Sequence, residues 1–65
     1  MKRIGGTIEN WQVVDWLGQN VVIGNIFGDD HWKDGTSIRT STILTMSETE
    51  VETLNTIYKL GTPKQ

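Results

Sequence analysis

The 65-residue chain contains no cysteine, one proline, one histidine and six lysine or arginine residues. Without thiols there are no disulfides and no thiolate metal site, and nothing marks an oxidising compartment. The shortage of cations is equally informative. A formal net charge of −2 provides no broad basic field, so generic binding to nucleic-acid phosphates, which takes several Lys or Arg on one face, is disfavoured. Nor do the carboxylates read as a nucleic-acid mimic, because they are divided between 29–34 and 48–52 with Glu9 and Asp15 isolated. No apolar run approaches membrane-spanning length, and Gly5, Gly6 and the polar residues after Thr7 interrupt any signal-type segment behind the basic Met1-Lys2-Arg3. The expectation is a cytoplasmic protein without a membrane partner.

What is present fits one small β-rich domain over 1–61 with a short tail, 62–65. At this size a single core supplies only a few kcal/mol, so some further support is needed; with disulfides excluded, a homo-oligomer is expected. Ile4 to Ile8 reads as a short edge segment loosened by Gly5-Gly6, and Trp11 to Leu17 as a second apolar stretch ending at the turn cluster Gly18-Gln-Asn20. Val21 to Phe27 is β-branched on both faces and stops at Gly28, which predicts a central strand, with Gly24 marking a bulge or a close backbone approach. From Thr36 to Met46, alternation places Ile38, Thr40, Thr42, Leu44 and Met46 on one face, so Ile38, Leu44 and Met46 are expected to be buried and Arg39 and Ser41 to face outward.

The last element admits two readings. Ser47-Glu-Thr-Glu50 has the form of a capping box, Met46 and Val51 suit a hydrophobic staple, and Val51, Leu54, Ile57 and Tyr58 fall at helical spacing before Gly61 and Pro63. Thr49, Val51, Thr53, Thr56, Ile57 and Tyr58 are nevertheless β-favouring, and Asn55-Thr56 can turn the chain between strands over 50–54 and 57–60. The fold is therefore read as all-β, a small SH3-like barrel or antiparallel meander, with an α+β arrangement carrying a helix over 48–60 as the alternative.

Gly24-Asn-Ile-Phe-Gly28, Asp34-Gly-Thr-Ser-Ile-Arg-Thr-Ser41, Ile43, Val51-Glu-Thr53 and Tyr58-Lys-Leu-Gly61 together resemble a pattern found in small phage, prophage and bacterial β-proteins. The resemblance covers roughly the C-terminal two thirds of the chain. It implies consecutive strands of a compact meander, hence a hairpin over 50–60, and it carries no catalytic motif. One departure is Asn55-Thr56, where a Ser-Gly-Ser-like turn is usual.

The densest chemistry lies in Asp29 to Ser41, around the turn dipeptide Asp34-Gly35. Arg39 offers a planar fork of donors for a carboxylate or phosphate, with Thr40 and Ser41 adding hydroxyls; the plainer alternative is an exposed Arg paired with Asp34 or a Glu. Trp32 suits base stacking or a partner anchor, and equally a lid folded onto the core. His31 suits a phosphate or a base edge. The expected ligand-binding set is Arg39, Trp32, His31, Lys33, Asp34, Thr40 and Ser41. Asp29, Asp30, His31 and Asp34 do not spell a calcium loop, since Trp32 occupies a position that needs an oxygen ligand, and one His among loop carboxylates is a poor zinc set. No nucleophile elbow surrounds His31 and the nearby serines, and neither Gly5-Gly6 nor Gly24-x-x-x-Gly28 continues into a phosphate loop. Neither an enzyme nor a cofactor is expected.

Two functions from different classes fit these residues. One is a phage-type counter-defence protein, working in the host cytoplasm, that binds and sequesters a small anionic ligand such as a nucleotide immune signal. The other is an anti-CRISPR-like inhibitor of a host defence protein, in which Asp29, Asp30, Asp34 and the 48–52 carboxylates face a basic partner and a Trp supplies the hot spot.

Overall fold

The computed structural model describes residues 2–65. Six strands follow one another: β1 (Arg3–Trp16), β2 (Gln19–Phe27), β3 (Thr36–Arg39), β4 (Ile43–Met46), β5 (Glu50–Thr53) and β6 (Thr56–Leu60). They form one sheet in the order β3-β2-β1-β6-β5-β4. The fold is all-β, and residues 48–60 form a hairpin, not a helix. Thr53 closes that hairpin by donating its hydroxyl to the Thr56 carbonyl at 2.9 Å and accepting the Thr56 amide at 3.3 Å. The turn therefore falls at Leu54-Asn55, one residue before the position expected from sequence.

The sheet is mixed. Four of its five pairings are antiparallel, whereas β1 and β6 run parallel in the middle, with Arg3 opposite Thr56 and Ile8 opposite Leu60. Val21–Phe27 lies, as expected, in an interior strand paired on both sides, one place in from the β3 edge, whereas Ile4 to Ile8, expected at an edge, lies in the middle of the sheet. The centre belongs to β1, whose 14 residues absorb both segments expected as separate and are long enough to pair on two sides. Edges β3 and β4 leave the sheet open, although β4 curls round to pack against β2.

β1 bends at a bulge between Glu9 and Gln12, where Asn10 takes φ 54. Gly24 sits across from the bulge, and a methyl group there would lie 2.6 Å from Ile8 Cγ2 and 2.8 Å from the Glu9 carbonyl oxygen. Residues 62–65 continue alongside the bulge: the Asn10 amide donates to the Thr62 carbonyl at 2.7 Å and the Lys64 amide to the Trp11 carbonyl at 2.8 Å. Trp11 adds an indole bond to the Gly61 carbonyl at 3.0 Å and packs, half-buried, against the core.

The β1–β2 turn is Leu17-Gly18, at φ 53 and 83, between the paired residues Trp16 and Gln19. Positive φ at both positions matches the tight hairpin turn whose twist suits flanking strands. The turn thus begins before the Gly18-Gln-Asn20 cluster expected from sequence, because a leucine occupies its first left-handed position. Asp15 accepts the Gly18 amide at 3.1 Å.

The expected strand over 36–46 is also broken. Thr40 is buried, its hydroxyl accepting the Val22 amide at 3.0 Å and donating to the Ser41 carbonyl at 2.8 Å, so the chain turns a corner there. β3 and β4 then lie on opposite edges of the sheet, and strand parity does not carry across. Ile38 is buried as expected, but Leu44 and Met46 are 50% and 39% exposed, and Ile43 is the β4 residue that packs on the core. Ile8, Val22, Ile26, Ile38, Val51, Tyr58 and Leu60 form that core, and full burial of each aliphatic member is worth about 1.5–3 kcal/mol.

With so few core residues, one steric intrusion is expensive. Gly24→Ala is expected to lower unfolding free energy by about 1–3 kcal/mol, because the added methyl meets a core side chain and backbone; urea denaturation measures it, and an unchanged midpoint would show that the bulge yields.

Candidate functional site

A cleft of about 580 Å³ opens at one end of the sheet, where the start of β1, the 28–35 loop, the Thr40 corner and the β5–β6 turn meet. It is lined by Arg3, His31, Trp32, Arg39, Thr40, Ser41, Thr53, Asn55, Thr56 and Tyr58. The lining carries two guanidiniums and an imidazole and contains no carboxylate, on a chain whose net charge is −2. An anion entering the cleft meets donors only from its charged groups.

Asp29 builds the loop side. Its carboxylate has no exposed side-chain surface. It accepts the Gly6 amide at 2.9 Å, the His31 amide at 2.8 Å and Arg3 Nη1 at 2.9 Å, so one buried group ties β1, the loop and a guanidinium together. Burial by itself pushes the Asp29 carboxyl up, but the His31 and Gly6 amides and the Arg3 guanidinium outweigh it and hold the group below the usual carboxylate range. The same hydrogen bond raises Arg3 above its ordinary value. Gly6 is required at this junction, because a side chain there would run into the backbone of Phe27, Gly28 and Asp29. The loop so anchored carries His31 and Trp32, whose rings meet edge to face at 5.8 Å. Arg3 Cζ lies 5.8 Å from the centre of the Trp32 ring. Trp32 is 37% exposed, an exposed wall of the cleft in contact distance of a cation, and not a core lid.

Arg39 and Ser41 enter from the Thr40 corner. Arg39 is exposed and joins neither of the two ion pairs found among the described residues, Lys2–Glu52 and Arg3–Asp29. The plain expectation of an Arg39 salt bridge to Asp34 or a Glu is therefore not met; its Cζ sits 4.1 Å from the centre of the Trp16 ring instead. Thr40 lines the cleft, but its hydroxyl is committed to the Val22 and Ser41 backbone.

Of the seven residues expected from sequence, His31, Trp32, Arg39, Thr40 and Ser41 come together in the cleft, while Lys33 and Asp34 stand outside its lining. Asp34 caps the Gly28 amide at 2.8 Å, and the Lys33 carbonyl accepts the Thr36 amide at 3.2 Å and hydroxyl at 2.7 Å, so both shape the turn that Gly35 completes at φ 89. Sequence reasoning missed Arg3, Thr53, Asn55, Thr56 and Tyr58. A basic residue near the N-terminus carries no local sign that it will pair with an aspartate 26 positions later. The other four reach the cleft only through the parallel docking of β6 on β1.

Comparison with family models, with curated proteins and with solved structures returned no match to this chain.

Because its folded value is depressed, Asp29 contributes stability that is complete above its unfolded value, about 3.9, and that is lost as pH falls through the lower folded one. Asp29→Ala leaves buried amides without an acceptor and a guanidinium without its partner, and is expected to destabilise by about 2–4 kcal/mol at neutral pH. Denaturation across pH 2 to 7 checks both: the gap between wild type and variant should narrow below about pH 4. A gap that is constant over that range would mean that the carboxylate charge is unimportant.

Proposed function

We propose that this protein is a non-enzymatic binder that sequesters a small anionic ligand, a nucleotide or nucleotide-like signal, in the cleft between the 28–35 loop and the Thr40 corner. The observation that carries this reading is the cleft's lining: Arg3, Arg39 and His31 with no carboxylate, beside the exposed ring of Trp32. Phosphate or carboxylate oxygens suit the Arg39 fork and Ser41, and a flat base suits the face of Trp32, where stacking is worth about 1–3 kcal/mol per base. A binding role fits better than catalysis for the same cleft. The hydroxyls of Thr40 and Thr53 are spent on backbone groups, and neither ion pair supplies a carboxylate that would orient His31 as a base.

The phage-type, counter-defence setting in the host cytoplasm rests on the resemblance of the Asp34–Ser41 and Tyr58–Gly61 blocks. It supplies a purpose for a protein that holds a signal without converting it. A homo-oligomer belongs to the same proposal, since open β3 and β4 edges are surfaces on which further strands can pair. The alternative, an inhibitor presenting an acidic loop to a host protein, is weakened because Asp29 is buried against Arg3 and Asp34 caps the turn. Only Asp30 of the three loop aspartates has no side-chain hydrogen bond among the described residues.

A thermal-shift screen with mono-, di- and cyclic nucleotides tests the reading, because a ligand that binds only the folded state raises the melting temperature by mass action. Absence of any shift at millimolar ligand would count against it and favour a protein target. For a nucleotide that binds, Arg39→Ala is expected to remove about 1.5–3 kcal/mol, tenfold or more in affinity, with the fold intact. Arg39→Lys should restore only part, since a point charge lacks the fork. Trp32→Ala should likewise reduce affinity with little change in melting temperature; unchanged affinity in both the Arg39 and Trp32 variants would place the ligand elsewhere.

A further inference from the structure

Trp16 stands close to the cleft without lining it. The register explains how it meets Arg39. Trp16 pairs with Gln19 across the β1–β2 hairpin, and Ile23 pairs with Arg39 on β3. Residues 19, 21 and 23 alternate onto one side of β2, so Trp16, Val21 and Arg39 share a face. Arg39 therefore reaches back across β2 to bring its guanidinium carbon over the indole, 4.1 Å from the ring centre. Val21 lies between them and is 3% exposed although it stands outside the main core cluster.

The two cleft arginines differ in what remains free. Arg3 directs Nη1 to the buried Asp29 carboxylate, so its charge is answered within the fold. Arg39 has its guanidinium carbon over the Trp16 ring and makes no ion pair with a carboxylate among the described residues. A guanidinium held by its face keeps its N–H donors in the plane, where a bidentate bond to two oxygens forms. A flexible side chain with one orientation already selected also loses less freedom when the anion arrives.

We propose that Trp16 is a positioning residue for the cleft: it holds the Arg39 guanidinium face-on to the indole, and the ligand's anionic group is gripped by the exposed N–H edge of that fork. The inference rests on the reading that Arg39 meets an anion in this cleft, and it adds how that contact is prepared and from which side the anion enters.

Isothermal titration with adenosine monophosphate, cyclic adenosine monophosphate and pyrophosphate, on wild type, Trp16→Ala, Trp16→Phe, Arg39→Ala and the double variant Trp16→Ala/Arg39→Ala, tests it. Trp16→Ala is expected to weaken binding of whichever probe binds by about three- to tenfold, as loss of a cation–π contact implies, and Trp16→Phe to recover most of it. The double variant should bind no more weakly than Arg39→Ala alone, because Trp16 acts through Arg39. A readout that needs no ligand accompanies these: the Arg39 Nε–H proton should lose its ring-current shift in Trp16→Ala. Additive losses in the double variant would mean that Trp16 touches the ligand itself, and would overturn the proposal. So would full affinity in Trp16→Ala, or an Arg39 resonance that does not move. If Arg39→Ala weakens binding while Trp16→Ala does not, this inference fails and the binding function stands. If no probe binds the wild type, both fall.

Discussion

The arrangement depends on one buried carboxylate. Asp29 gathers two backbone amides and a guanidinium from parts of the chain that are far apart in sequence. A negative charge removed from water is tolerated only when several donors replace that water, and here the donors are the elements the cleft needs. The Gly6 amide fixes the first half of β1, the His31 amide fixes the loop, and Arg3 is drawn to the rim. Placement of the His31 and Trp32 rings follows from that bond to the loop backbone.

The cleft shows how a mildly acidic chain can present a positive surface. Four of its eight acidic groups are engaged outside the lining: Asp29 underneath, Asp34 on the Gly28 amide, Glu9 on the Thr62 amide, Glu52 on Lys2. Lys2 holds Glu52 below the usual carboxylate range. What is left facing inward is cationic or neutral, although formal charge summed over the whole chain has the other sign. Local field at a concave surface is set by which charges are compensated nearby, and a whole-chain sum carries no such information.

Much of this was legible in the residues. Turn chemistry at Asp34-Gly35 and the β-branched run at 21–27 are short-range signals, and each produced the element it implied. The segment from His31 to Ser41 also contributes half of the cleft lining. What escaped sequence reasoning was long-range. The hairpin over 50–60, the main reading, is found; the helix-start chemistry of Ser47 to Glu50, which supported the alternative, is overridden because Val51, Thr53, Thr56 and Tyr58 alternate and all four are buried in the sheet. The face of Thr36 to Met46 was misread because Thr40 spends its hydroxyl on the β2 backbone and turns the chain, an event invisible to alternation. Neither Arg3's place in the cleft nor the pairing of β1 with β6 has a local sign, because parallel neighbours joined by distant segments leave no hairpin signature.

That parallel seam has a consequence for how the molecule assembles. The β1–β2–β3 segment and the β4–β5–β6 segment are each built from antiparallel neighbours along the chain, so each can form through short loop closures. The seam between β1 and β6 cannot. It joins strands from opposite ends of the sequence and carries the entropy of closing nearly the whole chain, which orders it late and makes it the slow step. The cleft, which spans both halves, exists only once they have met.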